Sequence, residues 1–127
     1  IVDRKDLDYQ TMKEYDKFEK WAANSNTSTA KLQQQLENPN AKIIDVRTDD
    51  EFEEGYIPNA INIDIYKGQG FIYLIEELDK KNAYFVYCRS GARSSQACNI
   101  MKELGFENVY NLDGGFSDWD GPVDFVE

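Results

Sequence analysis

Apolar residues along this chain follow two spacings, and the change from one to the other divides it. Between residues 7 and 23, Met12, Tyr15, Phe18, Trp21 and Ala22 fall three or four positions apart, as on one face of an amphipathic helix. The polar run Asn24-Ser25-Asn26-Thr27-Ser28 breaks that pattern and offers N-cap candidates for a second helix. This helix carries Leu32 and Leu36 and stops at Asn38-Pro39. From there short apolar runs alternate with helical ones. Ile43-Ile44-Asp45-Val46 predicts a strand, and Thr48-Asp49-Asp50-Glu51 reads as a capping box opening a short helix that Gly55 closes. Ile61-Asn62-Ile63 predicts another strand. The spacing of Phe71, Leu74, Ile75 and Leu78 predicts a helix over 71–78. Tyr84-Phe85-Val86-Tyr87 predicts a buried strand ending at Cys88. A helix over 93–104 follows, with Ala97, Ile100, Met101 and Leu104 inward and Gly105 as its stop. Asn108–Leu112 is the last strand. Strands separated by helices imply right-handed crossovers, hence an α/β fold: an open, mostly parallel sheet with helices on both faces. No internal repeat or low-complexity segment interrupts it.

Charge and composition then remove whole classes of function. Lys and Arg number 14 against 24 Asp and Glu, a net charge of −10. An acidic body repels phosphate backbones and anionic membranes, so neither nucleic acid nor a membrane is expected among its partners. The chain contains no histidine. That excludes Ser-His-Asp triads, Cys-His pairs and the usual zinc sites together. Two cysteines, Cys88 and Cys98, are too few for a disulfide scaffold or a thiolate metal site. Catalysis is left to carboxylates, arginines or a thiolate activated without imidazole.

Cys88 is the candidate for that thiolate. In open α/β sheets chemistry collects at the carboxyl ends of strands, and Cys88 sits at one. The segment Arg89-Ser90-Gly91-Ala92-Arg93-Ser94-Ser95 then leads into a helix. Its small residues let the backbone curl around the sulfur. Successive N–H groups form an anion cradle there, and the helix N-terminus adds the positive end of its dipole. Two arginines reinforce the effect.

These residues also carry a family resemblance. Cys88–Ser95 resembles the active-site loop of single-domain rhodaneses, in the six-residue form C-x4-R. Ile43-Ile44-Asp45-Val46-Arg47 resembles that family's Asp-Val-Arg strand. Glu51 through Ala60 resembles its glycine-histidine-isoleucine-proline turn, with Tyr56 where the family often has histidine, a position read as ordering the turn. Asn108–Trp119, with Leu112, Gly114-Gly115 and Trp119, resembles its C-terminal signature. The four blocks run in order across residues 42–119. The resemblance implies a five-stranded rhodanese-like sheet and a double displacement through a persulfide. A sulfur donor such as thiosulfate would leave its outer sulfur on Cys88. A thiophilic acceptor, cyanide or a thiol (a protein thiol included), would remove it. Cys88 would be the nucleophile. The loop Arg89, Ser90, Gly91, Ala92 and Arg93 would bind substrate, with the arginines receiving an anionic donor. No cofactor and no metal are expected. The domain reading is an N-terminal helical extension over 1–27 and a rhodanese-like domain over 28–127.

Plainer roles are expected for the other residues. Cys98 is read as core packing rather than a resolving thiol. Asp45 and Arg47 are read as structural support, an ion pair tying strand to loop. The acidic run Asp49–Glu54 is a solvated helix start favoured by the helix dipole rather than a docking patch. Gly114-Gly115 is a tight turn, and Trp119 belongs to the core. Two other functions compete with sulfur transfer. Phosphatases and arsenate reductases with C-x5-R loops also cradle an anion, but this loop is one residue shorter and Tyr87 precedes the cysteine. A non-catalytic or sulfur-carrier module is the other. The chain begins Ile1-Val2-Asp3 without an initiator Met and is therefore read as trimmed. A cytoplasmic monomer is expected, with export left open.

Overall fold

The computed structural model describes residues 26–126. The amphipathic pattern at 7–23 lies outside them. Five parallel strands form one sheet: β1 (Asn26–Thr27), β2 (Ala41–Asp45), β3 (Ala60–Asn62), β4 (Ala83–Tyr87) and β5 (Asn108–Leu112). The strand order is β1-β5-β4-β2-β3. Between them run α1 (Thr29–Gln35), α2 (Asp49–Glu53), α3 (Gln69–Glu76) and α4 (Ala92–Glu103), with short 3-10 turns at Ile65–Lys67 and Phe116–Asp118.

Alternation along the strands builds a core on each face. Ile44, Tyr84, Val86 and Cys88 pack with α3 and α4 through Phe71, Ile72, Ile75, Ala97, Cys98, Ile100 and Met101. Their sequence neighbours Ile43, Phe85 and Tyr87 join Leu32 of α1, Ile57, Leu112 and Trp119 in a second cluster. The pairing of Ile44 with Val86 and Ile43 with Phe85 keeps both faces in register. A slip of one residue would exchange the two cores.

The expected elements are present, with shifts at their ends. β2 begins at Ala41, because Ala41 and Lys42 pair with Ala83 and Tyr84 although neither extends the apolar run. Thr48 and Glu51 complete a reciprocal capping box on α2, and Ser28 caps α1. Asn26 and Thr27, placed by sequence in the break between two helices, instead form the edge strand β1. They pair with Asn111 and Leu112.

This order places β4 and β2 side by side, while the chain leaves β2 towards β3 on one flank and β4 towards β5 on the other. A crevice opens outside the carboxyl ends of strands at such a switch point. The loops after β2 and β4 both end there.

Candidate active site

Cys88 follows the last residue of β4, and alternation turns its side chain towards α4. The residue is only 1% exposed. Gly91 turns the chain with a φ of 111° and caps α4 without a side-chain hydrogen bond, so no side chain covers the N–H groups of the first turn. The Gly91 N–H donates to the Cys88 Sγ at 3.0 Å. The sulfur therefore sits at the positive end of a twelve-residue helix with an amide aimed at it.

Ser94, one turn into α4, adds a hydroxyl 3.4 Å from Sγ. Its one proton lies among three acceptors, the sulfur, the Asn111 carboxamide oxygen, which is the tightest contact, and the Gly91 carbonyl at 3.1 Å. Asn111 is held in turn by its Nδ2, which donates to Ser95 Oγ at 3.1 Å and to Asn26 Oδ1 at 3.4 Å. Ser94 and Asn111 are both buried, so β5 and β1 steady the sulfur through two polar side chains.

The C-terminal turn braces the loop from behind. Phe116 N–H donates to the Cys88 carbonyl at 2.8 Å and Ser117 N–H to that of Arg89 at 2.9 Å. Beside it, Arg47 and Asp45 form a buried pair, 2% and 0% exposed. Arg47 Nη2 donates to Asp45 Oδ2 and to the Gly55 carbonyl, both at 2.7 Å, and the guanidinium lies 4.4 Å from the centre of the Phe116 ring. Burial opposes the Arg47 charge, but the hydrogen bond and charge of Asp45 outweigh it and raise its pKa. The Tyr87 hydroxyl accepts the Ile57 N–H at 3.0 Å. The pair thus fastens the end of β2 to the turn at 55–57 without touching the sulfur. Tyr56 lies in that turn, stacked on Phe52 at 4.0 Å and bridged to Asp124.

Arg89 and Arg93, the two expected anion receptors, converge on one carboxylate. Arg93 grips Glu51 through both terminal nitrogens, at 2.7 and 3.0 Å. Arg89 Nε reaches the same residue at 3.2 Å. Arg93 holds the Glu51 carboxyl well below its usual range, at about 2. The Arg93 pKa rises, through its hydrogen bond to Glu51 first and then the charges of Glu51 and Cys88. Ser90 and Ala92 are exposed.

Sequence reasoning assigned no site role to Glu51, Ser94 or Asn111. Glu51 already had a local explanation in its capping box. Ser94 stood in the resembling block, and its place one turn beyond the loop was the available signal. Nothing local marked Asn111. Cys98 is fully buried in the α3–α4 core, and burial pushes its thiol up to about 12. Its packing role stands. Among the described residues no group of His, Cys, Asp or Glu is arranged to hold a metal, and no helix is long and apolar enough to cross a membrane.

Proteins of similar sequence and a solved structure of similar fold are known. YtwF of Bacillus subtilis is 41% identical over 95 residues, covering 74% of this chain and 88% of that protein. The thiosulfate sulfurtransferase GlpE of Shewanella oneidensis is 34% identical over 92 residues, 72% of this chain and 88% of its own. The solution structure of a rhodanese-like domain from Anabaena sp. superposes with a TM-score of 0.72 at 28% identity, covering 80% of each chain. The family model for the rhodanese-like domain matches residues 28–121. The chain belongs to the rhodanese-like domain family.

Proposed function

We propose that the protein is a sulfurtransferase that carries sulfane sulfur as a persulfide on Cys88. The observation that carries this reading is the Gly91 N–H aimed at the Cys88 Sγ from the uncapped N-terminus of α4. The Cys88 thiolate attacks the outer sulfur of a donor such as thiosulfate. The bond between the two donor sulfurs breaks, its electron pair leaves on sulfite, and Cys88 retains the outer sulfur as an anionic persulfide. An acceptor, cyanide or a thiolate, then attacks that sulfur and returns Cys88 to the thiolate. Both steps are displacements at sulfur and need neither metal nor imidazole.

Loop N–H groups and the helix dipole stabilise negative charge that stays on sulfur throughout the cycle. Ser94 places its hydroxyl beside the sulfur, and Asn111, which accepts from that hydroxyl, fixes its position. Arg89 and Arg93 present the donor with cations that Glu51 partly neutralises, while Asp45 and Arg47 keep the neighbouring turn in place. The names of relatives such as GlpE support the activity class, and the short C-x4-R loop favours sulfur over phosphate chemistry. Thiocyanate formation from thiosulfate and cyanide tests the reading. Wild-type protein should turn over and Cys88→Ser should not. Turnover retained in the serine variant would remove Cys88 from the mechanism.

A further inference from the structure

Glu51 has more bonds than a helix cap requires. Its carboxylate accepts from Thr48 N and Thr48 Oγ1, both at 3.2 Å, from both terminal nitrogens of Arg93, and from Arg89 Nε. The Arg93–Glu51 pair is largely sheltered, 18% and 17% exposed. One face of the Arg93 guanidinium lies towards the Tyr66 ring, 5.6 Å from its centre. Arg93 therefore meets a donor with its terminal edge and one face already engaged.

The charges in the mouth follow directly. Arg89 and Arg93 bring two positive charges, and Glu51 with a Cys88 thiolate brings two negative ones, so the four cancel. The chain as a whole carries −10. A dianion must displace Glu51 or share cations that are already balanced. Glu51 is ionised over the whole physiological range, as an ordinary carboxyl is, and Arg93 lowers its carboxyl further, to about 2. A donor with one negative charge meets half of that opposition.

We propose that Glu51 is a built-in counter-anion that sets donor charge, so that the loop takes a monoanionic thiosulfonate or persulfide in preference to dianionic thiosulfate. The proposal rests on the reading of Cys88 as the sulfur-accepting thiolate. With a thiosulfonate, Cys88 takes the outer sulfur, the sulfur–sulfur bond of the donor breaks, and its electron pair leaves on a sulfinate. Glu51 is here a specificity-determining residue that acts through the arginines rather than on the sulfur.

Thiosulfate and methanethiosulfonate form a matched pair, differing by a methyl group in place of one anionic oxygen. Sulfur loading of the whole protein is followed by intact mass, each rate divided by that donor's rate with a small free thiolate. Wild type should favour methanethiosulfonate. Glu51→Gln removes one negative charge and keeps the shape. It should raise the rate with thiosulfate more than that with the thiosulfonate, moving their ratio roughly tenfold, the effect of one partly screened charge a few ångströms away. Glu51→Asp keeps the charge and should keep the wild-type preference. A wild-type preference for thiosulfate overturns the proposal without reference to any variant. So does a Glu51→Gln protein in which both donors change by one factor, or in which thiosulfate loses more. If neither donor loads wild-type Cys88, the sulfurtransferase reading itself fails, a result distinct from a wrong donor preference.

Discussion

Gly115 packs directly against the backbone of Cys88. A Cβ built on it would lie 2.6 Å from the Cys88 carbonyl oxygen and 2.6 Å from that of Arg89. Its φ of 63° adds a second reason for glycine. The contact lets the 114–119 turn come close enough for Phe116 and Ser117 to hold the same two carbonyls. A turn far along the chain therefore fixes the height of the sulfur above the sheet.

Gly115→Ala should lower turnover by at least about tenfold, because sub-ångström loop shifts misplace the reacting sulfur. The accompanying loss of stability should be about 1–3 kcal/mol, the usual cost of overpacking and backbone strain. Thermal unfolding together with a thiocyanate assay checks both. Unchanged turnover would mean that the Cys88 loop tolerates displacement of its support.

Asp45→Ala should be among the most damaging substitutions in the chain. It leaves the Arg47 guanidinium buried with no carboxylate partner, a situation that costs about 3–5 kcal/mol. Denaturant unfolding should show the midpoint falling accordingly. A loss below about 1 kcal/mol would indicate that Arg47 finds another partner or reaches water.

Much of this arrangement was legible in the sequence, and what escaped did so for physical reasons. β5, the capping box at Thr48–Glu51 and the placement of Cys88 at a strand end depend on local pattern, and the structure has them where the pattern put them. β1 escaped because Asn26 and Thr27 carry no apolar alternation. They are a strand only through pairing with residues 111 and 112. The pairing of Glu51 with Arg93 spans 42 positions of sequence, and the capping box already accounted for Glu51. Ser94 and Asn111 are polar residues that sequence places outside a core, yet both are buried beside the sulfur because each satisfies the other.

The Glu51 carboxyl ties stability to acid pH with a definite sign. Its folded pKa of about 2 lies below the ordinary value of 4.5, with the Arg93 hydrogen bond as the largest cause. The depressed group therefore stabilises the fold fully above 4.5 and loses that contribution as pH falls through about 2. Denaturation midpoints should fall across that window in wild type, and the fall should be shallower in Glu51→Gln. Parallel profiles would show that the carboxylate is not held more tightly in the folded state.

Cys98→Ser should leave turnover near wild type while lowering stability by about 1–3 kcal/mol, since a hydroxyl enters an apolar site. Alkylation of the native protein by iodoacetamide should label Cys88 alone, because Cys88 opens onto the loop after β4 while the Cys98 thiol lies within the α3–α4 core and stays protonated up to about pH 12. Peptide mapping that found the label on Cys98 would contradict that assignment.

The intact mass of the protein before and after a sulfur donor tests the central claim most directly. After incubation with excess thiosulfate or methanethiosulfonate, wild-type protein should gain the mass of one sulfur atom, which peptide mapping places on Cys88. Cyanide should then restore the original mass, and Cys88→Ser should show no gain. A wild-type protein that gains no sulfur, gains it on Cys98, or forms a Cys88–Cys98 disulfide instead would contradict the account.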